Sequence, residues 1–272
     1  MAKTSKGKWS PSTGAEAPES FAETETKSGE RIAKAIARAG ICSRRDAEKM
    51  IAEGRVKVDG QVLTSPARNV TEANVISVDG KPIAAKEQTR LWRYHKPNGL
   101  VTTHKDPLGR PTVFMNLPKH LPRVVSVGRL DFNSEGLLLL TNDGDVARRL
   151  ELPASGWTRT YRARLFGKVT QDDLDKLATG MVIDGVKYGP VIADLERAKG
   201  RYAWASVQLK EGKNREVKRL MERLGLKVAR LIRTQYGPFH LGHLGEGAVE
   251  EIPAKLWREQ LGIGRRKRAP ED

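Results

Sequence analysis

Cysteine is nearly missing from this chain: Cys42 is the only one, so no disulfide can form within it, and no Cys and His residues have the spacing of a structural zinc site. Long apolar runs are missing too. The longest, the four leucines at 137–140, falls far short of the ~18 residues a membrane span needs, and the opening MAKTSKGKWSPSTG lacks the apolar stretch of a secretory signal. A reduced, cytosolic, soluble protein is expected. No fixed-period repeat and no glycine-rich phosphate cradle occur. The AVILMFWYC set reaches only 38 %, against ~45–50 % in ordinary globular domains, which leaves part of the chain to tails.

Acidic residues are outnumbered. Lys and Arg total 49 and Asp and Glu 33, for a formal charge of +16 at pH 7. With a pI near 10.0, the chain sets up a field that draws polyanions. In a cytosol these are RNA, DNA and anionic membranes, although a generic basic surface has the same composition.

The 272 residues allow two domains with tails. Residues 1–29 have Trp9 and Phe21 as their only bulky apolar side chains, too little burial to offset ordering, and read as a disordered arm. Residues 263–272, with the run RRKR from 265, read as a flexible basic tail. From Glu30, ERIAKAIARAG repeats Ile32, Ala35, Ile36 and Ala39 at helical spacing up to Gly40. Ser43 then stands as N-cap of RRDAEKMIAEG, with Ala47, Met50 and Ile51 on one face. RVKVDG and VISVDG alternate and end in Asp-Gly, the turn chemistry of β-hairpins. These elements predict a compact domain over residues 30–87.

Over residues 89–262 strand patterns dominate: LWRYHKP, RVVSVGRL, GLLLLTND, TRTYRARL, VIADLERA, YAWASVQLK and KVARLIRTQYG. Helical patterns intervene at VARRLELPA, QDDLDKLATG and EVKRLMERLG without regular alternation. The expected class is α+β, a small N-terminal domain followed by a larger antiparallel-sheet-rich one.

Two constellations carry chemistry. In the small domain Arg31, Arg44, Arg45, Lys49, Arg55 and Lys57, with the Ser43 cap, would offer cations and backbone N–H groups to phosphates; ordinary solvated helix faces look the same. In VGRLDFNSEGLLLLTNDG, Asp131 follows an apolar run, stands two residues after Arg129 and precedes four leucines. Such a carboxylate is either a nucleophile or base in a water-poor pocket, or a turn Asp paired with Arg129. The five histidines are scattered without metal spacing and point to nothing catalytic.

ERIAKAIARAGICSRRDAEKMIAEGRVKVDGQVL resembles the alpha-L RNA-binding module shared by a small-subunit ribosomal protein and several RNA-modifying enzymes, through Arg31, Gly40, Ser43, Arg44, Arg45, Gly54, Val56, Val58 and Gly60. That resemblance implies binding to structured RNA through shape and phosphates, without catalysis. The rest, through YHKPNGLVTT, GRLDFNSEGLLLLTNDG, TRTYRARL and KEGKNREVKRLMERLGLKVARLIRTQYGPF, resembles the RsuA/RluB family of ribosomal RNA pseudouridine synthases, closest to the RluB branch acting on 23S rRNA.

This second resemblance implies a base-flipping isomerase that needs neither metal nor organic cofactor. Asp131 matches its catalytic Asp, and Arg129 the Arg that fills the space the base vacates. Tyr161 matches the stacking aromatic, although a half-buried strand tyrosine reads the same. Lys218 matches the basic partner of the acid, although a solvated helix face would also carry it. Lys213, Arg215 and Arg219 would face phosphates, and Leu231 and Ile232 would line the uracil pocket unless they are plain core. Ribosomal RNA is the expected partner, with no membrane. A monomer is expected, since one large RNA imposes no symmetry on its enzyme. The rival readings are a small-subunit (16S) synthase, a ribosome-associated binder without catalysis, and a helix-turn-helix DNA regulator, the last weakened by the strand-rich second domain.

Overall fold

A computed structural model of the chain describes residues 29–85, 87–152 and 156–263. They form two compact units, one of Ile41–Ala84 with the residues up to Ala37, the other of the residues from Ala85 on with Arg38–Gly40. The N-terminal arm before Gly29 and the basic tail after Ile263 lie outside the described residues.

The first unit runs β1 (Glu30–Arg31), α1 (Ile32–Arg38), α2 (Arg44–Ala52), β2 (Val56–Val58), β3 (Gln61–Val62), β4 (Asn69–Val70), β5 (Ile76–Val78) and β6 (Lys81–Pro82). The spacing predicts a helix from Glu30, but Glu30 and Arg31 pair with β4 instead, so α1 starts at Ile32. Ser43 caps α2 as expected, its hydroxyl accepting the Asp46 N–H at 3.1 Å. Ile32, Ile36, Ala47 and Ile51 pack on Val56, Val58, Ile76 and Val78 to form the core. Both hairpins turn on Asp-Gly pairs with positive φ at each residue, 51° and 83° at Asp59-Gly60, 51° and 78° at Asp79-Gly80.

The second unit comprises β7 (Leu91–Lys96), β8 (Val125–Val127), β9 (Glu135–Thr141), α3 (Gly144–Glu151), β10 (Arg159–Phe166), α4 (Gln171–Asp175), β11 (Met181–Ile183) and β12 (Val186–Tyr188). It continues with β13 (Val191–Lys199), β14 (Tyr202–Leu209), α5 (Glu216–Arg223), β15 (Lys227–Tyr236), β16 (Phe239–His240), β17 (Val249–Ile252) and α6 (Ala254–Gln260). Its main sheet has the order β13-β14-β10-β15-β9-β7-β17, with β16 on β15 and β8 on β9. All its pairings are antiparallel but one, β15 with β9, which is parallel over two residue pairs.

Burial explains this arrangement. The four leucines of β9 alternate between two cores, Leu137 and Leu139 against α3 and α6, Leu138 and Leu140 against Trp92, Tyr94 and Val113. A strand buried on both faces reads as a continuous apolar run. Farther along the sheet, Ala163, Leu165, Val207 and Leu231 point under α4 and α5 onto Leu174, Val217 and Met221. The β11–β12 hairpin, β17 and α6 have no counterpart among the strand and helix patterns read from the sequence.

Candidate active site

The parallel seam between β9 and β15 sets the site. Gly136 lies opposite Arg233 with φ 101°, and a Cβ there would come within 2.3 Å of the Arg233 carbonyl oxygen, so only glycine lets these backbones meet. Arg230 closes the seam with three hydrogen bonds of 2.7 to 3.1 Å to the Glu135 carboxylate, and Arg233 Nε donates to the Leu137 carbonyl at 2.8 Å. Just before β9 the chain makes a tight loop that carries Asp131.

Three groups hold that loop. Thr102 Oγ1 donates to the Leu130 carbonyl at 2.8 Å and accepts its N–H at 3.3 Å. The Gly99 N–H donates to the Phe132 carbonyl at 3.0 Å. Lys96, with no exposed surface, donates from Nζ to the carbonyls of Ser134 (2.8 Å), Pro97 (3.0 Å) and Phe132 (3.4 Å). Burial pulls the Lys96 ammonium down to about 8, against the upward pull of the Asp131 and Glu135 carboxylates. The sequence reading missed Lys96 as a site residue. Its signal was there: Trp92, Tyr94 and Lys96 occupy one buried face of β7, and a lysine continuing such a face needs internal acceptors.

Lys218 rises from α5, its Nζ 3.2 Å from Asp131 Oδ2 in a charge-assisted hydrogen bond. The Lys218 side chain is 9 % exposed and the Asp131 carboxylate 30 %, so the lysine is a buried support and the acid is reachable. Among the described residues the salt-bridge partner of Asp131 is Lys218 and not Arg129, which is exposed on the wall of a cavity that Asp131 also lines. The turn-Asp pairing with Arg129 is therefore not what forms.

That cavity holds about 870 Å³ and is lined by Asp131, Arg129, Tyr161, Leu231, Lys213 and Arg215 among others. Tyr161 is half-buried where the cores on either side of it meet. Leu231 and Ile232 part company, because successive strand residues face opposite ways. Leu231 lines the cavity, whereas Ile232 packs with the α3 and α6 core and lines no part of it, contrary to the expectation that both would. Arg219 is half-buried on α5 and also lies off the wall.

Two further features mark the entrance to α5. Arg215, its N-cap, has φ 52° and ψ 29°, a left-handed conformation that costs a non-glycine residue about 1 kcal/mol or more. Glu216 follows, buried, its Oε2 accepting the Lys213 N–H at 2.9 Å. Burial pushes its carboxyl up to about 7, and the neighbouring Glu211 carboxylate adds to the rise.

In the first unit Arg31, Arg44, Arg45, Lys49 and Lys57 are exposed. Arg55 departs from the expectation of a phosphate-facing cation. Its guanidinium is already engaged with Asp79 at 2.7 and 2.8 Å and with Glu53 at 3.0 Å, which raises its already high pKa further. The Ser43 hydroxyl is likewise occupied, donating to Asp46 Oδ2 at 2.7 Å.

Residues 90–223 match the family model described as RNA pseudouridylate synthase, and residues 30–76 match the S4 domain. An uncharacterized RNA pseudouridine synthase of Rickettsia felis is 52 % identical over 230 residues, 84 % of this chain and 98 % of its own. The ribosomal large subunit pseudouridine synthase B of Yersinia pestis is 42 % identical over 84 % of this chain and 74 % of its own. Among solved structures, a crystal structure of a pseudouridylate synthase is similar with TM-score 0.60 and 27 % identity, covering 85 % of this chain and 99 % of its own.

Proposed function

This chain belongs to the RNA pseudouridine synthases, isomerases that carry here an N-terminal S4 domain, and on that premise we propose that it converts one uridine of large-subunit (23S) ribosomal RNA to pseudouridine in the cytoplasm. The observation that carries this reading is the Asp131–Lys218 pair, at 3.2 Å, on a cavity that Tyr161 shares. The choice of large-subunit RNA is supported by the relatives named for it.

The residues have the following roles in this reading. A stacked uracil must leave its helix to reach Asp131, and exposed Arg129 enters the space it leaves and meets the adjacent phosphate. Asp131 attacks the ribose, or removes one of its protons, as the bond between C1′ and N1 breaks. The base then turns against Tyr161 and Leu231. C5 bonds to C1′, the proton on C5 departs, and N1 gains one. Atoms and electrons balance without any redox partner or leaving group. Lys218 steadies the carboxylate through each of these charge changes, and Lys213 and Arg215 meet phosphates at the cavity mouth. The small domain, with a boundary between residues 84 and 89, grips structured RNA through Arg31, Arg44, Arg45, Lys49 and Lys57.

The test is to map pseudouridine in ribosomal RNA from cells with and without the gene, and then to assay the purified chain on that RNA. One large-subunit uridine should depend on it. Asp131→Asn should abolish conversion with RNA binding retained. Unmodified RNA in both backgrounds would leave only an RNA-binding protein.

A further inference from the structure

The sheet has a second face that the reaction does not use. On β10 and β14 the residues at odd positions, among them Tyr161, Ala163, Leu165, Ala205 and Val207, turn toward the cavity and the core beneath α4 and α5. Those at even positions turn the other way, half-buried or exposed, and register places Arg164 opposite Trp204 and Phe166 opposite Tyr202. They stack. The guanidinium of Arg162 lies 4.7 Å from the Trp204 ring centre, that of Arg164 4.2 Å from Tyr202 and that of Arg201 4.7 Å from Phe166, with the Phe166 and Tyr202 rings 5.2 Å apart.

Charge selects the occupant. Arg162 is neutralised by Glu196 at 2.7 Å. Arg164 and Arg201, and Lys199 and Lys227 at the same end of the strands, are exposed and make no salt bridge among the described residues. An arginine over a ring keeps outward N–H groups for phosphate, and the exposed ring beside it offers a stacking surface that suits any base. Tyr202, the ring nearest this unpaired charge, is 41 % exposed. An aromatic and cationic ladder on an open sheet is a general means of holding unpaired RNA.

We propose that this outward face, centred on Arg164, Arg201 and Tyr202, is a second RNA-binding surface that holds an unpaired stretch of the substrate RNA away from the cavity. The proposal rests on the reading of the substrate as ribosomal RNA. It makes the face a contributor to affinity for the large RNA and a bystander in the chemistry.

The test uses the full chain, transcribed large-subunit ribosomal RNA and a short hairpin containing only the uridine found by mapping. The double variant Arg164→Glu/Arg201→Glu should bind the long RNA at least ~10-fold more weakly, with the slope of log affinity against log salt reduced by ~1.4–1.8, as expected for two lost phosphate contacts at ~0.7–0.9 each. Tyr202→Ala should weaken binding ~5- to 100-fold with the slope unchanged, because stacking releases no counterions. Conversion of the hairpin should stay within about twofold of the parent in both. Long-RNA affinity and slope equal to the parent's would overturn the proposal and leave the face to a protein partner. An equal loss on the hairpin would overturn it as well, since the substitutions would then be acting on the fold or the cavity. Should the parent modify no uridine at all, the proposed function falls, while the binding measurements on the long RNA still judge this face.

Discussion

A lysine with no solvent around it has to find its hydrogen-bond acceptors inside the protein, and Lys96 takes them from the backbone of the loop that carries Asp131. Lys96→Met would leave the Ser134 and Pro97 carbonyls unpaired and free the loop to drift. Since a misplacement of about 1 Å costs ~100-fold in rate, kcat should fall 10- to 100-fold with KM for RNA nearly constant; a fall confined to KM would remove Lys96 from this positioning role. Glu216 makes a prediction in pH. Its folded-state value of about 7 lies above the ordinary 4.5, so the folded chain keeps that proton longer than the unfolded chain does. The stability contributed by the protonated form is fully present below about 4.5 and is lost as pH rises through about 7. Glu216→Gln should match the parent in thermal unfolding at pH 4.5 and exceed it by several degrees at pH 8; an equal gap at both pH values would refute the linkage. Asp131 stood out in the sequence as a candidate because its signal is local, a carboxylate between Arg129 and an apolar run, although that pattern alone left a turn Asp paired with Arg129 also open. Glu216 did not stand out, because its burial comes from chain distant in sequence; Lys96 left a signal in the alternation of β7, but the carbonyls it reaches at Phe132 and Ser134 lie almost forty residues on.

At the scale of elements, the seam between β9 and β15 joins strands almost a hundred residues apart, as in the pairing of Gly136 with Arg233. Gly136→Ala would drive a Cβ into the Arg233 backbone in a φ that alanine resists. We expect a loss of at least ~3 kcal/mol, seen as a drop of about 10 °C in Tm or failure to fold, and a parent-like Tm would show that the strands can separate without cost. Single elements were legible where one pattern sufficed. The four leucines foretold a strand, and the Asp-Gly pairs at 59–60 and 79–80 foretold hairpins. A third such pair, Asp184-Gly185, turns β11 into β12 with φ of 49° and 76°, but β11 reads Met-Val-Ile, apolar at every position, so it shows no alternation of the kind seen in β2 and β5. Leu231 and Ile232 show the converse limit. Adjacent in sequence and alike in chemistry, they separate onto opposite faces once the strand is formed.

At the scale of the whole molecule, the charge of +16 is the property that RNA at a distance responds to. Replacing Arg44, Arg45 and Lys49 of the S4 domain together by alanine should flatten the salt dependence of RNA binding by up to ~2.7, about 0.9 per lost phosphate contact; an unchanged slope would show that these exposed cations meet solvent only. Arg55 is left out of that set because Asp79 and Glu53 already occupy it. The amino-acid sequence by itself determined the two-part organisation, the α+β class, the basic character and Asp131 as a candidate, each from composition or short-range pattern, whereas Tyr161 and Lys218 were singled out only by the resemblance to the pseudouridine synthases. Only the tertiary structure decided which cation meets Asp131, that Lys96 braces its loop, that Arg55 is consumed within its own unit and that Ile232 turns away. The physical reason is that hydrogen bonds, ion pairs and burial depend on distances between side chains, and across 87 residues from Asp131 to Lys218 those distances exist only after the sheet has brought the strands together.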